Sequence, residues 1–270
     1  MKINLNGLIG KYNILFIVLD SLRYDCAVEA LDEGRTPFIK SLIPRSKWER
    51  RYTTGCFTYP AHHSFFAGFL PVPVEPGIHK RLFASSFSGS QTIDENTFVF
   101  DESDIVSALS KRDYRTICIG GVGFFNKTNE LSMVFPSMFD ESYWTKEFGV
   151  TDPRSTYNQV SHAVELIKNE NKNIFLYLNI SALHQPSCIF SDEKDTDSKE
   201  TQKDALSYVD SNLKPLFDVF ETLGHYFCIM CSDHGTLFGE DGHTGHRIPH
   251  EKVMTVPYSH FTSDKNRKET

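Results

Sequence analysis

The chain has 270 residues, of which 40% are hydrophobic and 13% aromatic, a composition that excludes a disordered or collagen-like chain. Its 28 Lys and Arg against 35 Asp and Glu give a net charge of -7. This excludes a global basic field that would hold nucleic acid or an anionic membrane, so any phosphate group must be held by a local site.

The sequence predicts neither export nor membrane insertion. Its N-terminal stretch lacks the apolar run of a signal peptide, and no later stretch reaches the ~18 apolar residues of a membrane span. We therefore expect a cytoplasmic protein that binds neither membranes nor nucleic acid, with its oligomeric state open. The length fits a single domain over residues 1–270.

Apolar runs alternate with helical periodicity along the chain. The runs with the length and β-branched content of buried strands are residues 13–20, 114–120, 173–180 and 226–232. Residues 155–169 and 204–221 repeat apolar side chains at intervals of three and four, which is typical of amphipathic helices. This alternation predicts an α/β fold, a three-layer αβα sandwich around a largely parallel sheet.

The cysteines do not form an evident disulfide framework. Six are scattered through a chain long enough to form its own core, which favours free thiols. Cys228 and Cys231 form a CxxC motif, but they lie within an apolar run and no second CxxC completes a zinc site. We therefore interpret them as buried strand residues.

Three stretches are predicted to be loops. Residues 71–97 and 191–200 resemble insertions, and the second is interpreted as a solvated loop or as a lid over an active site. Residues 120–127 (GGVGFFNK) follow a predicted strand. Their glycines serve either a tight turn or an anion site, in which Asn126 and Lys127 would contact the substrate.

Polar residues end three of the predicted strands, where an open α/β sheet binds its ligands. Asp20 ends the first strand, His184 follows the third, and Asp233 with His234 follows the last. Asp20 alone is explained equally well as a helix cap. An adjacent carboxylate and imidazole, as in Asp233 and His234, suit zinc or manganese.

A fourth segment places a hydroxyl near a predicted helix N-terminus. Thr58 stands just before Tyr-Pro and an apolar helical run. Free amides and the helix dipole favour an anionic oxygen there, and a bound metal would activate the hydroxyl as a nucleophile. The alternative makes Thr58 a simple cap, with His62 and His63 on the helix surface.

Together these segments resemble the alkaline phosphatase and sulfatase superfamily. NILFIVLDSLRYD resembles its opening strand, TYPAHHSFFAG its nucleophile segment, HQP its mid-chain histidine motif, and SDHGTLFGEDGHTGHR its closing metal motif. The last is the most specific of the four. The short length and the runs CFTYPAHHSFFAGFLP and FGVTDPRS further resemble a branch of small cytosolic bacterial sulfatase-like hydrolases.

The resemblance implies an alkaline-phosphatase-like core and a set of site residues. The implied metal ligands are Asp20, Thr58, Asp233 and His234. Thr58 would be the nucleophile, and His184 and His246 would act on the substrate side, with His243 as the alternative to His246. Further candidate substrate contacts are His62, Asn126 and Lys127.

Two departures from the superfamily narrow the chemistry. Formylglycine sulfatases place a cysteine two residues before the proline and an arginine two after it, where this chain has Thr58 and His62. Two-zinc relatives have an Asp four residues before the mid-chain histidine, where this chain has Ile180. Formylglycine chemistry is therefore not expected, and a second metal ion is left open.

The function implied is that of a metal-dependent hydrolase or phosphotransferase acting on a phosphate mono- or diester. Its metal would be Zn²⁺, with Mn²⁺ as the alternative, and its partner a small-molecule or peptide-linked phosphoester. A sulfate or phosphonate ester hydrolase would use the same residues. A non-catalytic metal-binding protein is the alternative outside enzymes.

Overall fold

The computed structural model describes residues 7–68, 83–84, 98–99, 104–192 and 195–266. The strands are β1 Asn13–Leu19, β2 Glu49–Tyr52, β3 Phe83–Ala84, β4 Phe98–Val99, β5 Arg115–Ile119, β6 Glu141–Tyr143, β7 Ile174–Ile180, β8 Tyr226–Cys231, β9 Leu237–Phe238, β10 Thr244–Gly245 and β11 Thr255–Thr262. The α-helices are α1 Tyr24–Asp32, α2 Pro37–Leu42, α3 Thr58–Ala67, α4 Ile105–Ser110, α5 Glu130–Met133, α6 Ser155–Ile167, α7 Lys199–Leu223, α8 Glu251–Met254 and α9 Ser263–Asn266.

A seven-stranded sheet organises the described chain, in the order β2-β11-β8-β1-β7-β5-β6. From β8 to β6 all neighbouring strands are parallel. At the other edge, β11 runs antiparallel to both β8 and β2. The predicted α/β class with a largely parallel sheet is confirmed.

Two hydrophobic cores lie on opposite faces of this sheet. Alternate residues of β1 enter them: Leu15, Ile17 and Leu19 enter one core, and Ile14, Phe16 and Val18 enter the other. This is the period of two that a strand buried on both faces requires. The first core packs on α1, α2, α6 and α7, and the second on α3 and α4. The three predicted layers are therefore present.

The elements that position the site agree with the sequence-based prediction. All four predicted strands and both predicted helices form, with ends shifted by a few residues. Helix α7 begins earlier than expected, at Lys199, because Ser198 and Thr201 form a capping box in the run interpreted as a loop or lid. Residues 71–97 lie outside the described part of the chain, apart from the two residues of β3.

Two further predictions can be compared with the structure. The six cysteines are free, and Cys228 and Cys231 are buried on β8. Within the described ranges, no helix combines the length and apolar character that crossing a membrane requires.

Candidate metal centre and nucleophile

The predicted metal ligands meet at the carboxyl ends of β1 and β8. Asp20, Asp233 and His234 each offer a ligand atom, these atoms lie within 4.8 Å of one another, and all three side chains are fully buried. Thr58, the first residue of α3, places its Oγ1 atom 3.3 Å from Nε2 of His234. The structure therefore brings all four residues together.

Asp20 is held by hydrogen bonds to both of its carboxylate oxygens. Asn179 Nδ2 donates to Oδ2 over 2.9 Å, and Ser21 Oγ donates to Oδ1 over 3.0 Å. Helix α1 has Arg23 as its N-cap and no side-chain cap. The interpretation of Asp20 as a helix cap is therefore wrong, and its carboxylate instead faces the site.

Asp233 has one satisfied oxygen and one without a partner. Its Oδ1 atom accepts from the backbone N–H groups of Ser21, at 3.1 Å, and His234, at 3.0 Å. Its Oδ2 atom has no hydrogen-bond partner among the described residues, although it is buried. A buried, unpaired carboxylate oxygen is costly unless a cation binds it.

Ser21 joins the two carboxylates by adopting an unusual backbone conformation. Its φ angle of 65° lies in the left-handed region, which costs a non-glycine residue about 1 kcal/mol or more. In this conformation its N–H donates to Asp233 and its hydroxyl to Asp20. The two hydrogen bonds offset the backbone strain at Ser21 and hold both acidic ligands in place.

His234 presents Nε2 to the site because its other nitrogen is occupied. The Nδ1–H group donates to the Gly235 carbonyl oxygen over 2.8 Å, which fixes the tautomer and the ring orientation. Nε2 lies 3.5 Å from Asp233 Oδ2 and 4.0 Å from Asp20 Oδ1. Zinc–ligand bonds of about 2.0–2.2 Å place neighbouring ligand atoms about 3–4 Å apart, so these separations fit one ion.

Gly235 allows this turn because a larger residue would not fit. A Cβ atom at this position would lie 2.1 Å from the backbone oxygen of Lys252. The Asp-His-Gly sequence is therefore a steric requirement as well as a source of ligands.

The electrostatics of the two carboxylates also favour a cation. Burial and the neighbouring Asp20 raise the pKa of Asp233 well above its ordinary value. Burial acts on Asp20 in the same direction, but His184, His234 and the Asn179 hydrogen bond outweigh it and lower the pKa of Asp20. Burial lowers the pKa of His234, which favours the neutral, metal-binding imidazole. Two buried carboxylates and one neutral imidazole form a donor set that a divalent cation fits.

Thr58 is not a simple helix cap. The N-cap of α3 is Phe57, and no side chain caps this end. The Thr58 hydroxyl instead points to His234, and its side chain is only 2% exposed. The hydroxyl therefore lies at the positive end of a helix dipole and beside the candidate metal ligands.

His184 and His246 lie together on the outer side of this centre. Their ring centroids are 5.3 Å apart, and that of His246 is 4.6 Å from His234. The Nδ1–H group of His184 donates to the Gln185 carbonyl oxygen over 2.7 Å, which leaves Nε2 available to a substrate. Burial, with His234 and His184 nearby, lowers the pKa of His246 to about 4. His243 is exposed, so the structure favours His246 over this alternative.

The structure does not place His62 against a substrate. Its ring is fully buried, and burial lowers its pKa to about 4, so the imidazole is neutral. Both of its nitrogens have hydrogen-bond partners within the protein. Nδ1–H donates to the Thr58 carbonyl oxygen over 2.7 Å, and Nε2 accepts from the Tyr177 hydroxyl. The interpretations of His62 as a substrate contact or a surface residue are therefore wrong. It anchors the first turn of α3 to the sheet.

The glycine-rich loop after β5 is closed by its own hydrogen bonds. The N–H groups of Gly121 and Val122 donate to Asn179 Oδ1 at 3.2 and 3.1 Å. Lys127 is exposed and donates to Ser142, while the side-chain oxygen of Asn126, Oδ1, accepts from the Thr128 backbone N–H. These contacts favour the turn interpretation, and the structure does not support substrate binding by Asn126 and Lys127.

Asn179 is a positioning residue whose role was not predicted from the sequence. Its side chain connects the Asp20 carboxylate to the Gly121 and Val122 amides, so it ties the ends of β1, β7 and β5 together. The signal was a single amide side chain near the end of an otherwise apolar strand, IFLYLNI. A buried amide in such a run requires polar partners.

Gln202 of α7 is a second positioning residue, and it binds the backbone next to Asp20 and His184. It is fully buried, and its Nε2 atom donates to the backbone oxygens of Ser21 and Leu183, next to Asp20 and His184. Its Oε1 atom accepts from the Arg23 backbone N–H. The sequence feature that could have indicated this role is a polar residue on the apolar face of the helix, four residues before Leu206.

Comparisons with known proteins give a family and a fold. The sequence model of the sulfatase family matches residues 12–270. The C-terminal periplasmic domain of phosphoethanolamine transferase EptC from Campylobacter jejuni is 15% identical, with a TM-score of 0.62 over 94% of this chain and 80% of that one. A zinc complex of the corresponding Escherichia coli domain is 13% identical, with a TM-score of 0.63 over 95% and 74%.

A third solved structure has a different activity in its name. The lipoteichoic acid synthase LtaP from Listeria monocytogenes is 16% identical, with a TM-score of 0.57 over 94% of this chain and 66% of that one. At these identities the likeness concerns the fold. No curated protein sequence matches the chain significantly.

Proposed function

The chain belongs to the sulfatase family and has the fold of the alkaline phosphatase superfamily, and from its site we propose a metal-dependent phosphoester hydrolase or phosphotransferase. Members of this superfamily are hydrolases or transferases that depend on divalent metal. The observation that carries the proposal is the Thr58 hydroxyl, 3.3 Å from His234 at the start of a helix and beside two buried carboxylates.

We propose that Asp20, Asp233, His234 and the Thr58 oxygen hold one divalent ion. Two carboxylates and an imidazole suit Zn²⁺, and Mn²⁺ is the alternative. A zinc complex among the structural neighbours supports Zn²⁺ ahead of Mn²⁺. When bound, such an ion lowers the pKa of a coordinated hydroxyl and stabilises negative charge on a phosphoryl group.

Thr58 acts as the nucleophile in this proposal. Its hydroxyl loses its proton as Oγ1 forms a bond to phosphorus, and the bond from phosphorus to the leaving-group oxygen breaks. The leaving group departs as an alcohol after it takes up a proton. Water or an acceptor alcohol then attacks the phosphorus of the phospho-threonine, and the bond from phosphorus to Oγ1 breaks, which returns Thr58 to its starting state. Attack by water makes the reaction a hydrolysis, and attack by an alcohol makes it a phosphotransfer.

The outer histidines orient the substrate. The two ring centroids lie 5.3 Å apart, and the Nδ1–H group of His184 already donates to the Gln185 carbonyl oxygen, so Nε2 is the atom of His184 that meets the substrate. His246, whose lowered pKa favours the neutral imidazole, donates one N–H to a phosphoryl or leaving-group oxygen. The absence of a cysteine at position 58 supports phosphate ahead of sulfate esters, because formylglycine cannot form there.

A paired substitution tests this assignment. Purified protein supplied with zinc or manganese is assayed with mono- and bis-p-nitrophenyl phosphate and with p-nitrophenyl sulfate. His246→Gln is expected to reduce phosphoester turnover at least tenfold, whereas the matched control His243→Gln, at an exposed position, leaves it unchanged. Faster turnover of the sulfate ester, or equal effects of both variants, would contradict the proposal.

A further inference from the structure

An aromatic and cationic cluster lies directly beside the nucleophile. Phe57 immediately precedes Thr58, and its ring centroid lies 6.3 Å from that of Phe124. The guanidinium carbon of Arg247 lies 5.3 Å from the centroid of the Phe57 ring. Phe57 and Phe124 are half-buried, and Arg247 is exposed, so the cluster forms part of the surface around the site.

The backbone ties Arg247 to this position. It follows His246 directly, and its N–H donates to the Cys56 carbonyl oxygen over 2.7 Å. The loop that carries His246 is thus joined to the segment that leads into α3. The guanidinium has no salt bridge to any residue of the described ranges, although the chain as a whole carries a net charge of -7.

Arg247 and Thr58 are linked through Phe57. Thr58 directs its hydroxyl to His234, and the adjacent, half-buried Phe57 carries the Arg247 guanidinium over its ring. Arg247 also directly follows His246, the outer histidine of the site. Its guanidinium therefore borders the site, where the part of a substrate beyond the phosphoester would lie.

We propose that Arg247, stacked on Phe57, binds a second anionic group of the substrate, a carboxylate or a further phosphate. This inference rests on the proposed function and narrows its substrate class to phosphoesters with an oxyanion in the leaving group. A planar guanidinium binds such groups through two parallel hydrogen bonds, and stacking on an aromatic ring fixes its orientation. Phosphoesters with an uncharged leaving group lack this interaction.

The test compares substrates that differ only in the second anion. Glycerol 2-phosphate is set against 2-phosphoglycerate, and propyl phosphate against propane-1,3-diyl bisphosphate. The wild-type protein is expected to show a kcat/KM at least tenfold higher for the partner with the second anionic group in at least one pair, mainly through KM. Arg247→Gln abolishes this preference by lowering kcat/KM for that partner, and Arg247→Lys retains part of it.

Arg154→Gln is the matched control, because Arg154 is also exposed and stacks on a ring, that of Tyr157, at 4.6 Å. It is expected to behave as the wild type. Equal kcat/KM within both substrate pairs, or an unchanged preference in Arg247→Gln, would overturn the inference.

A binding measurement separates this inference from the proposed function. Isothermal titration calorimetry with zinc-loaded Thr58→Val protein measures the same four ligands without turnover. In each pair the partner with the second anionic group is expected to bind at least tenfold more tightly, and Arg247→Gln to remove the difference. Equal binding within each pair, or no binding of any ligand, overturns the inference. A binding preference that depends on Arg247, with no turnover by the wild type, supports the inference and counts against the proposed function alone.

Discussion

The inner and outer halves of the site are built in different ways. The inner half consists of Asp20, Asp233, His234 and Thr58, which are all buried and held by hydrogen bonds from neighbouring backbone and side chains. The outer half consists of His184, His246 and Arg247, which are half-buried or exposed and lie on loops. Burial makes an unpaired polar atom costly, so hydrogen bonds fix the geometry of the inner half, and Asp233 Oδ2 is left for a cation. The outer half is more exposed and less constrained, so substrate preference can vary there while the metal ligands and the nucleophile stay in place.

The largest expected effect comes from removing the nucleophile of the inner half. Thr58→Val keeps the shape of the side chain but removes its hydroxyl, and it should lower kcat by about 10³-fold or more. Thr54→Val is the matched control, because the Thr54 hydroxyl has no hydrogen-bond partner among the described residues. Steady-state kinetics on both variants measure the difference. A Thr58→Val protein with turnover close to that of the wild type would remove the inner half from the mechanism.

The next effect tests whether the inner half depends on its supporting hydrogen bonds. Asn179→Ala leaves Asp20 without its Asn179 donor and leaves the Gly121 and Val122 amides unpaired, so metal affinity should fall about 10–100-fold. Competition with a zinc chelator measures this affinity. Asn171→Ala, at an exposed position, serves as the control. Unchanged metal affinity in Asn179→Ala would mean that Asp20 needs no orientation.

A smaller effect is expected from the anchor behind the nucleophile. Tyr177→Phe removes the hydroxyl that binds His62, which in turn holds the Thr58 carbonyl oxygen. We expect kcat to fall about tenfold with KM unchanged, because the hydroxyl of Thr58 is less well aligned. Tyr226→Phe is the control, since that buried hydroxyl bonds to Glu221 instead. A change in KM alone would assign the anchor to substrate binding.

The smallest effect on turnover should come from breaking the ion pair between Arg23 and Asp25, next to the loop that leads to His246. Arg23 is 1% exposed and pairs with both Asp25 and Glu240, and Glu240 lies on the loop before His246. Burial opposes the charge of Asp25, but hydrogen bonds from Arg23 and Lys252 outweigh it and lower its pKa. Asp25→Asn should therefore lower the free energy of unfolding at pH 7 by about 1–3 kcal/mol, with little change in turnover.

The pH dependence of this effect has a definite sign. A carboxyl whose pKa is lowered in the folded state stabilises the protein above its unfolded pKa of about 3.9, and this contribution is lost as the pH falls. Denaturant unfolding of the wild type and Asp25→Asn should thus differ at pH 7, and the difference should shrink progressively as the pH falls below about 4. Asp32→Asn, at an exposed position, is the control. A constant difference down to acid pH would contradict this account.

Much of the fold could be predicted because the parallel strands are buried on both faces. Their continuous apolar runs are visible in the sequence, as in β1 and β7. The edge strand β2 was missed because its residues, ERRY, are polar and exposed. Strand β11 was missed because it contains Pro257 and mixes polar with apolar residues. Edge strands depend on pairing with neighbours rather than on a strong local pattern.

The site could be predicted only in part, for a related reason. Asp20, Asp233 and His234 stand at strand ends, where chain position alone indicates a ligand site. The roles of Asn179 and His62 depend on partners far away in the sequence, at Asp20 and Tyr177. No local pattern distinguishes a histidine that binds substrate from one that anchors a helix.

The central claim is that the inner half holds a divalent metal ion. Metal content is measured by plasma mass spectrometry on the purified wild type beside Asp233→Ala, each after incubation with zinc or manganese and removal of the excess. The account predicts close to one ion per chain in the wild type and loss of that ion in the variant, because the variant lacks the buried carboxylate oxygen without a partner. Wild-type protein that remains free of metal, or an Asp233→Ala variant that binds the ion equally well, would contradict it.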